Sequence, residues 1–258
     1  MTGRFDGKVA LVTAAAAGIG AATARAFAEG GARVMLSDID VDGGEAMAEE
    51  LRKGGTTAAF VQADVTREED VVRLVAKTVE TFGGLHLAAN VVGDSRGDAN
   101  GPEMHLKSVE GWDATFSITI RSAFICLKHE IAHMIEHGGG AIANVSSLAG
   151  MLYVPESGPA YSSAKAGIIQ LTKFAAVTYA DRGIRVNCIA PGVTPTRAYY
   201  KRGPEAAAAQ ISRMVERQAI KRAIETSEQA AAIAWLCSDD AGMVTGHNMP
   251  VDGGWAAK

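Results

Sequence analysis

Apolar residues recur along the chain in short runs that alternate with longer amphipathic stretches. Seven runs have the apolar and β-branched character of buried strands, and they are Val9–Val12, Arg33–Leu36, Ala58–Val61, Leu85–Val91, Ala141–Val145, Arg185–Ile189 and Asn248–Val251. Six stretches between them show helical spacing of apolar positions, and they are Gly20–Glu29, Gly43–Lys53, Glu68–Phe82, Trp112–Glu136, Tyr161–Arg182 and Glu228–Cys237. This alternation predicts an α/β fold, a doubly wound parallel sheet of seven strands with helices on both faces.

The blocks follow each other without a linker rich in Pro, Gly or Ser, which predicts that residues 1–258 form a single domain. Two irregular segments, Gly93–Met104 and Val193–Pro204, interrupt the alternation, and the second leads into an Ala-rich helical stretch over 205–217. Ligands of such sheets bind beyond the carboxyl ends of the strands. We therefore expect these segments to form walls of a pocket.

Composition narrows the class of protein. Lys and Arg number 25 against 29 Asp and Glu, a net charge of −4 that argues against nucleic acid or an anionic membrane as a partner. Cys126, Cys188 and Cys237 fall on predicted helices and a strand, which favours buried reduced thiols over disulfides or a metal cluster. The sequence shows neither an apolar signal region nor a run long enough to span a bilayer. We expect a cytoplasmic protein.

The segment VTAAAAGIGAA, Val12–Ala22, joins the first predicted strand to the first helix, which is the context of a dinucleotide site. Gly18 and Gly20 stand at the helix entry, where backbone N–H groups bind a pyrophosphate. Such a turn alone is equally typical of simple strand–helix packing. Because alanine avoids the left-handed region, we expect Ala14 to have a negative φ.

Asp38 ends the second predicted strand, where a carboxylate can accept hydrogen bonds from the hydroxyls of an adenosine ribose. A solvated aspartate in the acidic turn SDIDVD is the alternative interpretation. The same carboxylate repels a 2′-phosphate, and neither Ala17 nor Ile39 supplies a basic side chain to bind one. These residues favour NAD over NADP as the cofactor.

Tyr161 and Lys165 are four residues apart and therefore lie on one face of a predicted helix. A lysine beside a tyrosine lowers the pKa of the phenol, which suits it for general acid–base catalysis near neutral pH. Ser146 and Ser147 end a strand upstream, where a hydroxyl can face the same pocket. The pattern YxxxK is weak alone, and its weight comes from its place in a nucleotide-binding fold.

Residues 129–133 read HEIAH, which matches the zinc-hydrolase pattern HExxH, and His137 continues the same helix face. A catalytic zinc needs a third ligand and a cleft. Histidines are also favourable at a helix C-terminus, where their positive form meets the helix dipole. We therefore expect no metal in the catalytic site and, at most, adventitious binding at His129, His133 and His137.

Together these motifs resemble the short-chain dehydrogenase/reductase family of the compact, single-domain type, and the resemblance runs from Lys8 to Trp255. The family motifs match the chain at Thr13, Gly18, Ile19 and Gly20, at Asp64-Val65, in part at Asn90-Val91-Val92-Gly93, at Pro191-Gly192-Val193-Thr194 with Thr196, and at Asp252-Gly253-Gly254. Ala14 replaces the first glycine of the loop, His86 replaces an aspartate before the fourth strand, and Thr119 replaces a catalytic asparagine.

The resemblance implies a Rossmann-like fold and a hydride transfer between a nicotinamide cofactor and a secondary alcohol or ketone. It implies that Ser147 holds the substrate oxygen, that Tyr161 exchanges its proton, and that Lys165 lowers the pKa of Tyr161 and binds the nicotinamide ribose. It places Thr119 in the proton relay. The cofactor would contact Thr13, Ala17, Gly18, Ile19, Gly20, Asp38, Ile39, Asp64, Val65, Asn90, Gly93, Tyr161, Lys165, Pro191, Gly192, Thr194 and Thr196.

The family usually assembles as a tetramer, or as a dimer, through helices that correspond to 112–136 and 161–182 and through the C-terminal strand. Its substrate loops correspond to residues 93–104, 151–158 and 193–217, where apolar residues (Met151, Leu152, Tyr153, Tyr199, Tyr200) favour a cyclic or aromatic alcohol and basic residues (Arg96, Arg197, Lys201) leave room for an acidic group. Alternatives are an NADP(H)-dependent 3-oxoacyl-type reductase, a non-catalytic NAD-binding scaffold and the zinc hydrolase of the HEIAH motif.

Overall fold

A computed structural model describes residues 3–96 and 102–258, and it confirms the alternation of strands and helices. Within this part of the chain, seven parallel strands form one sheet in the order β3-β2-β1-β4-β5-β6-β7. The strands are β1 (Val9–Thr13), β2 (Arg33–Asp38), β3 (Ala58–Gln62), β4 (Leu87–Asn90), β5 (Gly140–Val145), β6 (Ile184–Pro191) and β7 (Asn248–Val251). The order reverses between β1 and β4, which is where a sheet of this type opens a crevice for a ligand.

The α-helices of the described residues lie between the strands. They are α1 (Gly18–Glu29), α2 (Val41–Lys53), α3 (Glu68–Phe82), α4 (Val109–Phe116), α5 (Ser122–Glu136), α6 (Pro159–Tyr179), α7 (Pro204–Val215) and α8 (Thr226–Cys237). The Ala-rich stretch 205–217 is helical as α7, and its N-terminal Pro204 suits the first turn.

Two apolar cores cover the two faces of the sheet, because successive strand residues point to opposite sides. Ala10 and Val12 of β1 pack in one core with α1, α2 and α8. Val9 and Leu11 pack in the other with α3, α5 and α6. All four side chains are essentially inaccessible. Burial on both faces explains why the strands read as continuous apolar runs.

Strand β4 is shorter than its apolar run because side chains interrupt the backbone ladder at both of its ends. At the start, the Val9 N–H donates to Nδ1 of His86 at 3.0 Å. At the end, the Val91 N–H donates to the Thr13 hydroxyl at 3.0 Å. His86 therefore has a structural task, as a backbone acceptor that joins β1 to the entry of β4.

The predicted helix 112–136 is divided by a π-helical turn over Ser117–Arg121. The Ser122 hydroxyl donates to the Ile118 carbonyl at 2.8 Å and lies 3.2 Å from the Thr119 carbonyl, both within the turn. Such turns are rare inside helices and concentrate at functional sites. This turn carries Thr119.

No helix of the described residues combines the length and the apolar character needed to cross a bilayer. Cys126, Cys188 and Cys237 are buried and free, as their positions on regular elements predict. Of the expected substrate loop 93–104, residues 97–101 lie outside the described part of the chain.

Candidate active site

The loop between β1 and α1 leaves the N-terminus of α1 available to an anion. Ala17 is the N-cap residue, and its side chain cannot cap the helix. Because the first N–H groups of a helix have no partner within the helix, those of Gly18, Ile19 and Gly20 suit a pyrophosphate. Gly18 has a φ of 59°, and a Cβ placed on it would lie 3.4 Å from Cγ2 of Thr196. The loop therefore fits the phosphates of a dinucleotide.

The expectation of a negative φ at Ala14 is wrong: its φ is 52°. A left-handed alanine costs about 1–2 kcal/mol, and neighbouring contacts hold it there. The Ala15 N–H donates to the Ser37 carbonyl at 3.1 Å, and the Ala16 N–H donates to Asp38 Oδ2 at 3.0 Å. A Cβ on Gly20 would lie 2.0 Å from the Ala14 carbonyl oxygen, so the turn is closely packed against the helix.

Asp38 ends β2 at the edge of this loop. Besides the Ala16 N–H, its carboxylate accepts the N–H of Asp40 at 3.0 Å, and each oxygen keeps a further lone pair for a ribose hydroxyl. The neighbouring Ile39 is exposed. The Arg197 guanidinium donates to the Asp40 carboxylate at 2.9 Å. Because Arg197 follows β6, this ion pair links that segment to the start of α2.

Thr13 and Asn90 lie in the crevice, but their side chains bind protein atoms. The Thr13 hydroxyl donates to the Ala89 carbonyl at 3.4 Å and accepts from Val91 N–H, so it joins β1 to β4. The Asn90 amide donates to Glu130 at 2.9 Å and to Asn144 at 3.1 Å inside the core. Asn90 is nearly inaccessible, so its amide positions β4 and β5 from within.

Asp64 and Val65 follow β3, on the adenosine side of the crevice. The Asp64 carboxylate accepts the N–H and the hydroxyl of Thr66 at 3.0 and 2.7 Å, which forms a tight turn. Val65 is buried in a small apolar cluster with Val71. The hydrogen bonds of Asp64 and the packing of Val65 therefore fix the turn that follows β3.

Ser147, Tyr161 and Lys165 converge beyond the carboxyl ends of β4, β5 and β6. Ser147 lies two residues after β5, at the start of the 3₁₀ turn Leu148–Gly150, and its hydroxyl is hydrogen-bonded to Tyr161. Ser146 is instead buried, and its hydroxyl oxygen lies 2.8 Å from both the Ile189 carbonyl oxygen and Asn248 Oδ1. The structure thus assigns the pocket position to Ser147.

Lys165 is buried beside Tyr161, with its ammonium 5.5 Å from the centroid of the phenol ring. The ammonium donates to the Val145 carbonyl at 2.7 Å. A Cβ on Gly93 would lie 2.5 Å from Nζ, so a larger residue there would make the lysine side chain shift. Gly93 thereby contributes to the site through its lack of a side chain.

The expected lowering of the Tyr161 pKa is wrong for the protein without ligands. Burial raises the pKa of Tyr161 well above its usual value, and the hydrogen bond from Ser147 offsets only part of this. Burial also lowers the pKa of Lys165 to about 7. Burial disfavours the charged form of both groups. Tyr161 therefore holds its proton firmly.

Thr119 is buried in the π-helical turn, close to Gly93. Its hydroxyl donates to the Asp94 carbonyl at 3.1 Å and accepts the Asp94 N–H at 3.3 Å. Both contacts fix the segment that follows β4. The side chain thus positions backbone in the loop that carries Gly93.

The segment after β6 is held by two buried glutamines that sequence reasoning missed. Gln218 accepts the Val193 N–H at 3.1 Å, and Gln229 donates to the Thr194 hydroxyl at 3.0 Å. Gly192 permits a close approach, since a Cβ there would lie 2.7 Å from Cα of Asp252. Pro191 and Gly192 thus lead into a segment that both glutamines hold by hydrogen bonds. These bonds join residues far apart in sequence, so no local motif indicates them.

The substrate end is apolar. Leu152, Tyr161, Tyr199 and Trp255 pack against a buried cluster of Ala149, Val154, Val193 and Met214. Tyr153 is 79% exposed, and Met151 and Tyr200 are exposed in part, so they contribute less than expected. Of the expected cations, Arg96 lies 4.0 Å from Asp94 and Arg197 pairs with Asp40, while the Lys201 side chain lies outside the described atoms.

The HEIAH residues point to different parts of the protein. His129 contacts Glu68 at 2.9 Å, whereas Glu130 is buried against Asn90. His133 and His137 stack, with ring centroids 4.0 Å apart. Within residues 3–96 and 102–258, no group of three or more His, Cys, Asp or Glu side chains is placed to hold a metal ion. Glu130 is thus separated from the histidines beside which it would have to act as the general base of a zinc hydrolase.

Replacing Glu130 with Gln should stabilise the fold at alkaline pH. Burial raises the pKa of Glu130 from 4.5 to about 7, so the folded state binds the proton more tightly and loses stability as the pH rises from 4.5 through 7. Glutamine avoids this loss and can donate to Asn90 Oδ1, which has no hydrogen-bond partner among the described residues. We expect a gain on the order of 3 kcal/mol at pH 8.

Urea unfolding at pH 5 and pH 8 measures this effect, with Glu136→Gln on the exposed end of the same helix as the control. A gain of equal size at both pH values would contradict the assignment of a buried, titrating carboxyl group.

Comparisons with known proteins agree with this geometry. A family profile described as enoyl-(acyl carrier protein) reductase matches residues 13–256. The chain is 41% identical to cis-4-hydroxycyclohexanecarboxylate dehydrogenase of Sinomonas cyclohexanicum, with 98% of each chain covered. It is 37% identical to cyclohexanol dehydrogenase of Acinetobacter sp. strain SE19, over 100% of this chain and 98% of that relative. The crystal structure of levodione reductase superposes with a TM-score of 0.92 at 32% identity, over 98% of this chain and 99% of that one.

Proposed function

This chain belongs to the short-chain dehydrogenase/reductase family and is an oxidoreductase of secondary alcohols and ketones, and we propose that it uses NAD(H) on a hydroxyl group carried by a six-membered ring. The observation that carries the proposal is the convergence of Ser147, Tyr161 and Lys165 beside an apolar cluster. The similarity to dehydrogenases of cyclohexane-ring alcohols supports the ring.

The roles of the three side chains follow from their contacts. Ser147 is hydrogen-bonded to Tyr161 and is placed to orient a substrate oxygen beside the phenol. Tyr161 keeps its proton and can deliver it to a carbonyl oxygen, or accept it back from an alcohol. The Lys165 ammonium lies close to Gly93. A bound nicotinamide supplies the carbon that exchanges the hydride.

The preference for NAD is supported by the charges at the adenosine end. Asp38 presents a carboxylate that would repel a 2′-phosphate at short range. The Arg197 guanidinium lies nearby, but Asp40 already pairs with it. The carboxylate of Asp38 therefore has the larger effect on cofactor preference, and it favours NAD, whose adenosine ribose has two free hydroxyls.

Replacing Asp38 with Ser should shift the cofactor preference toward NADP. The variant removes the negative charge but retains a hydrogen-bonding side chain, so kcat/KM for NADP⁺ relative to NAD⁺ should rise about 100-fold, which corresponds to about 2.7 kcal/mol. Steady-state kinetics with each cofactor measure the ratio. Asp42→Ser removes the same charge from an exposed position in the first turn of α2 and should leave the ratio unchanged.

The function itself is tested by reduction of NAD⁺ and NADP⁺ with cyclohexanol, cyclohexane-1,2-diol, a hydroxysteroid and a 3-hydroxyacyl ester. The proposal expects the highest kcat/KM with NAD⁺ and a cyclohexane-ring alcohol. Preference for NADP⁺ with the 3-hydroxyacyl ester would establish the alternative reductase. Tight NADH binding without turnover of any alcohol would indicate a scaffold.

We also propose that the chain is a cytoplasmic homo-oligomer, a tetramer built on the helices over 112–136 and 161–182. Phe174 and Val177 of α6 are 67% and 81% exposed, and Phe124 of α5 is exposed beside a groove lined by Trp112, Phe116, Ile120 and Leu171. A second copy would remove this apolar surface from water. A light-scattering mass equal to one chain would contradict the tetramer.

A further inference from the structure

A bidentate ion pair lies at the substrate end of the site. Glu156 belongs to the short turn Pro155–Ser157 that precedes α6, and Arg217 follows α7. Arg217 Nη2 donates to Glu156 Oε1 at 2.7 Å, and Nη1 donates to Oε2 at 3.0 Å. The two side chains are only 38% and 20% exposed. This paired geometry orients both planar groups.

Aromatic residues connect the ion pair to the catalytic tyrosine. The Arg217 guanidinium lies 5.4 Å from the ring centroid of Trp255. Tyr199 and Tyr161 pack with Trp255 on the same apolar cluster. Burial and then the Glu156 charge raise the pKa of Tyr199 to about 12, and Tyr199 in turn acts on Tyr161. The ion pair therefore borders, through Trp255, the apolar cluster on which Tyr161 also packs.

The pairing of Glu156 with Arg217 determines the net charge that a substrate encounters at this end of the site. Burial opposes ionisation of Glu156, but the hydrogen bonds and charge of Arg217 outweigh it and hold the pKa of Glu156 below its usual range. Both groups are therefore ionised at neutral pH, and their charges cancel. A second carboxylate would have to displace Glu156 or stand beside it, and like charges at short range are costly.

Among the side chains that the structure describes, the other charged groups near the ion pair do not place a free cation inside the apolar cluster. Arg213 acts on Glu156 only from an exposed position, and Arg197 is engaged by Asp40. Asp94 lies toward Tyr161 and adds negative charge. A ring alcohol without charge would contact apolar and aromatic side chains here. A ring alcohol that bears a carboxylate would instead be repelled by Glu156, which already pairs with Arg217.

We propose that Glu156 is a specificity-determining residue that, by neutralising Arg217, restricts this site to uncharged ring alcohols and excludes those that bear a carboxylate. The inference rests on the proposed function, because it assumes that the ring alcohol lies between Tyr161 and the ion pair. Removing the Glu156 charge while keeping its shape leaves Arg217 available to a substrate carboxylate.

The test compares two substrates in the full-length enzyme with NAD⁺. The quantity measured is kcat/KM for cis-4-hydroxycyclohexanecarboxylate divided by kcat/KM for cyclohexanol. In the wild-type enzyme this ratio should be below 1. In Glu156→Gln it should rise at least 10-fold, mainly through KM, because the carboxylate gains a guanidinium partner. In the double variant Glu156→Gln/Arg217→Gln the gain should disappear.

Two further variants separate this effect from general changes of charge or fold. Glu216→Gln removes the same charge from the exposed residue adjacent to Arg217 and should leave the ratio unchanged. Arg217→Gln leaves Glu156 unpaired and should lower the ratio further. If Glu156→Gln leaves the ratio at the wild-type value, or the gain persists in the double variant, the inference is wrong while the proposed function stands. If the wild-type enzyme oxidises neither alcohol, the proposed function fails and the inference fails with it.

Discussion

Replacing Tyr161 with Phe is expected to lower kcat by at least 10³-fold with every accepted alcohol or ketone. General acid–base catalysis contributes about 10²–10⁴ in rate, and the phenol is the proton donor of this site. The ring is partly buried and packs against an apolar cluster, so phenylalanine retains this packing. The loss should therefore appear in turnover, while NADH binds with nearly wild-type affinity.

Single-turnover kinetics and fluorescence titration with NADH separate these two quantities. Tyr179→Phe, at the other end of α6, removes the same hydroxyl from the same helix and should leave kcat unchanged. Turnover within 10-fold of wild type in Tyr161→Phe would show that another group transfers the proton, and the proposed role of Tyr161 would then fail.

Replacing Gly20 with Ala is expected to weaken NADH binding at least 100-fold, or about 2.7 kcal/mol. The new Cβ would lie 2.0 Å from the Ala14 carbonyl oxygen and 2.7 Å from its carbon, and neither atom belongs to a flexible side chain. Ala14 has little freedom to retreat, because Ser37 and Asp38 hold the residues that follow it. The loop must therefore move away from the conformation that fits the phosphates.

Titration with NADH and with ADP measures this effect, since both ligands carry a diphosphate and should weaken together. Gly54→Ala is the matched control, because its Cβ would come no nearer than 3.3 Å to any backbone oxygen that surrounds it. Unchanged affinity in Gly20→Ala would place the phosphates elsewhere.

Much of the fold follows from local pattern. The apolar runs predicted all seven strands because a sheet covered on both faces needs apolar residues at consecutive positions, as in Val9–Val12. The ends of elements depended on distant side chains instead. The Thr13 hydroxyl shortens β4 from the neighbouring strand, and no spacing within β4 indicates it.

The site divides in the same way. Gly20 was predicted from its place at the entry of α1, and Tyr161 and Lys165 from their spacing along α6, and the roles of all three stay predictions. The φ of Ala14 was predicted wrongly, since contacts from Ser37 and Asp38 override the intrinsic preference of alanine.

The pKa of Tyr161 was also predicted wrongly, because desolvation of the phenol in the folded protein raises it. The pairing of Glu156 with Arg217 joins residues 61 positions apart. Such contacts exist only after folding, so they could not be predicted from motifs.

The ion pair between Arg197 and Asp40 fastens the segment after β6 to the opposite wall of the crevice. We expect a dinucleotide bound between these walls to leave more slowly while the two side chains are paired, whereas a small alcohol meets no such bridge. The kinetic order should therefore be sequential, with the cofactor entering first and leaving last. Because Arg197 is highly exposed, salt screens the pair. Where release of NADH limits turnover, kcat should rise with ionic strength, and an Arg197→Gln variant should lose that dependence.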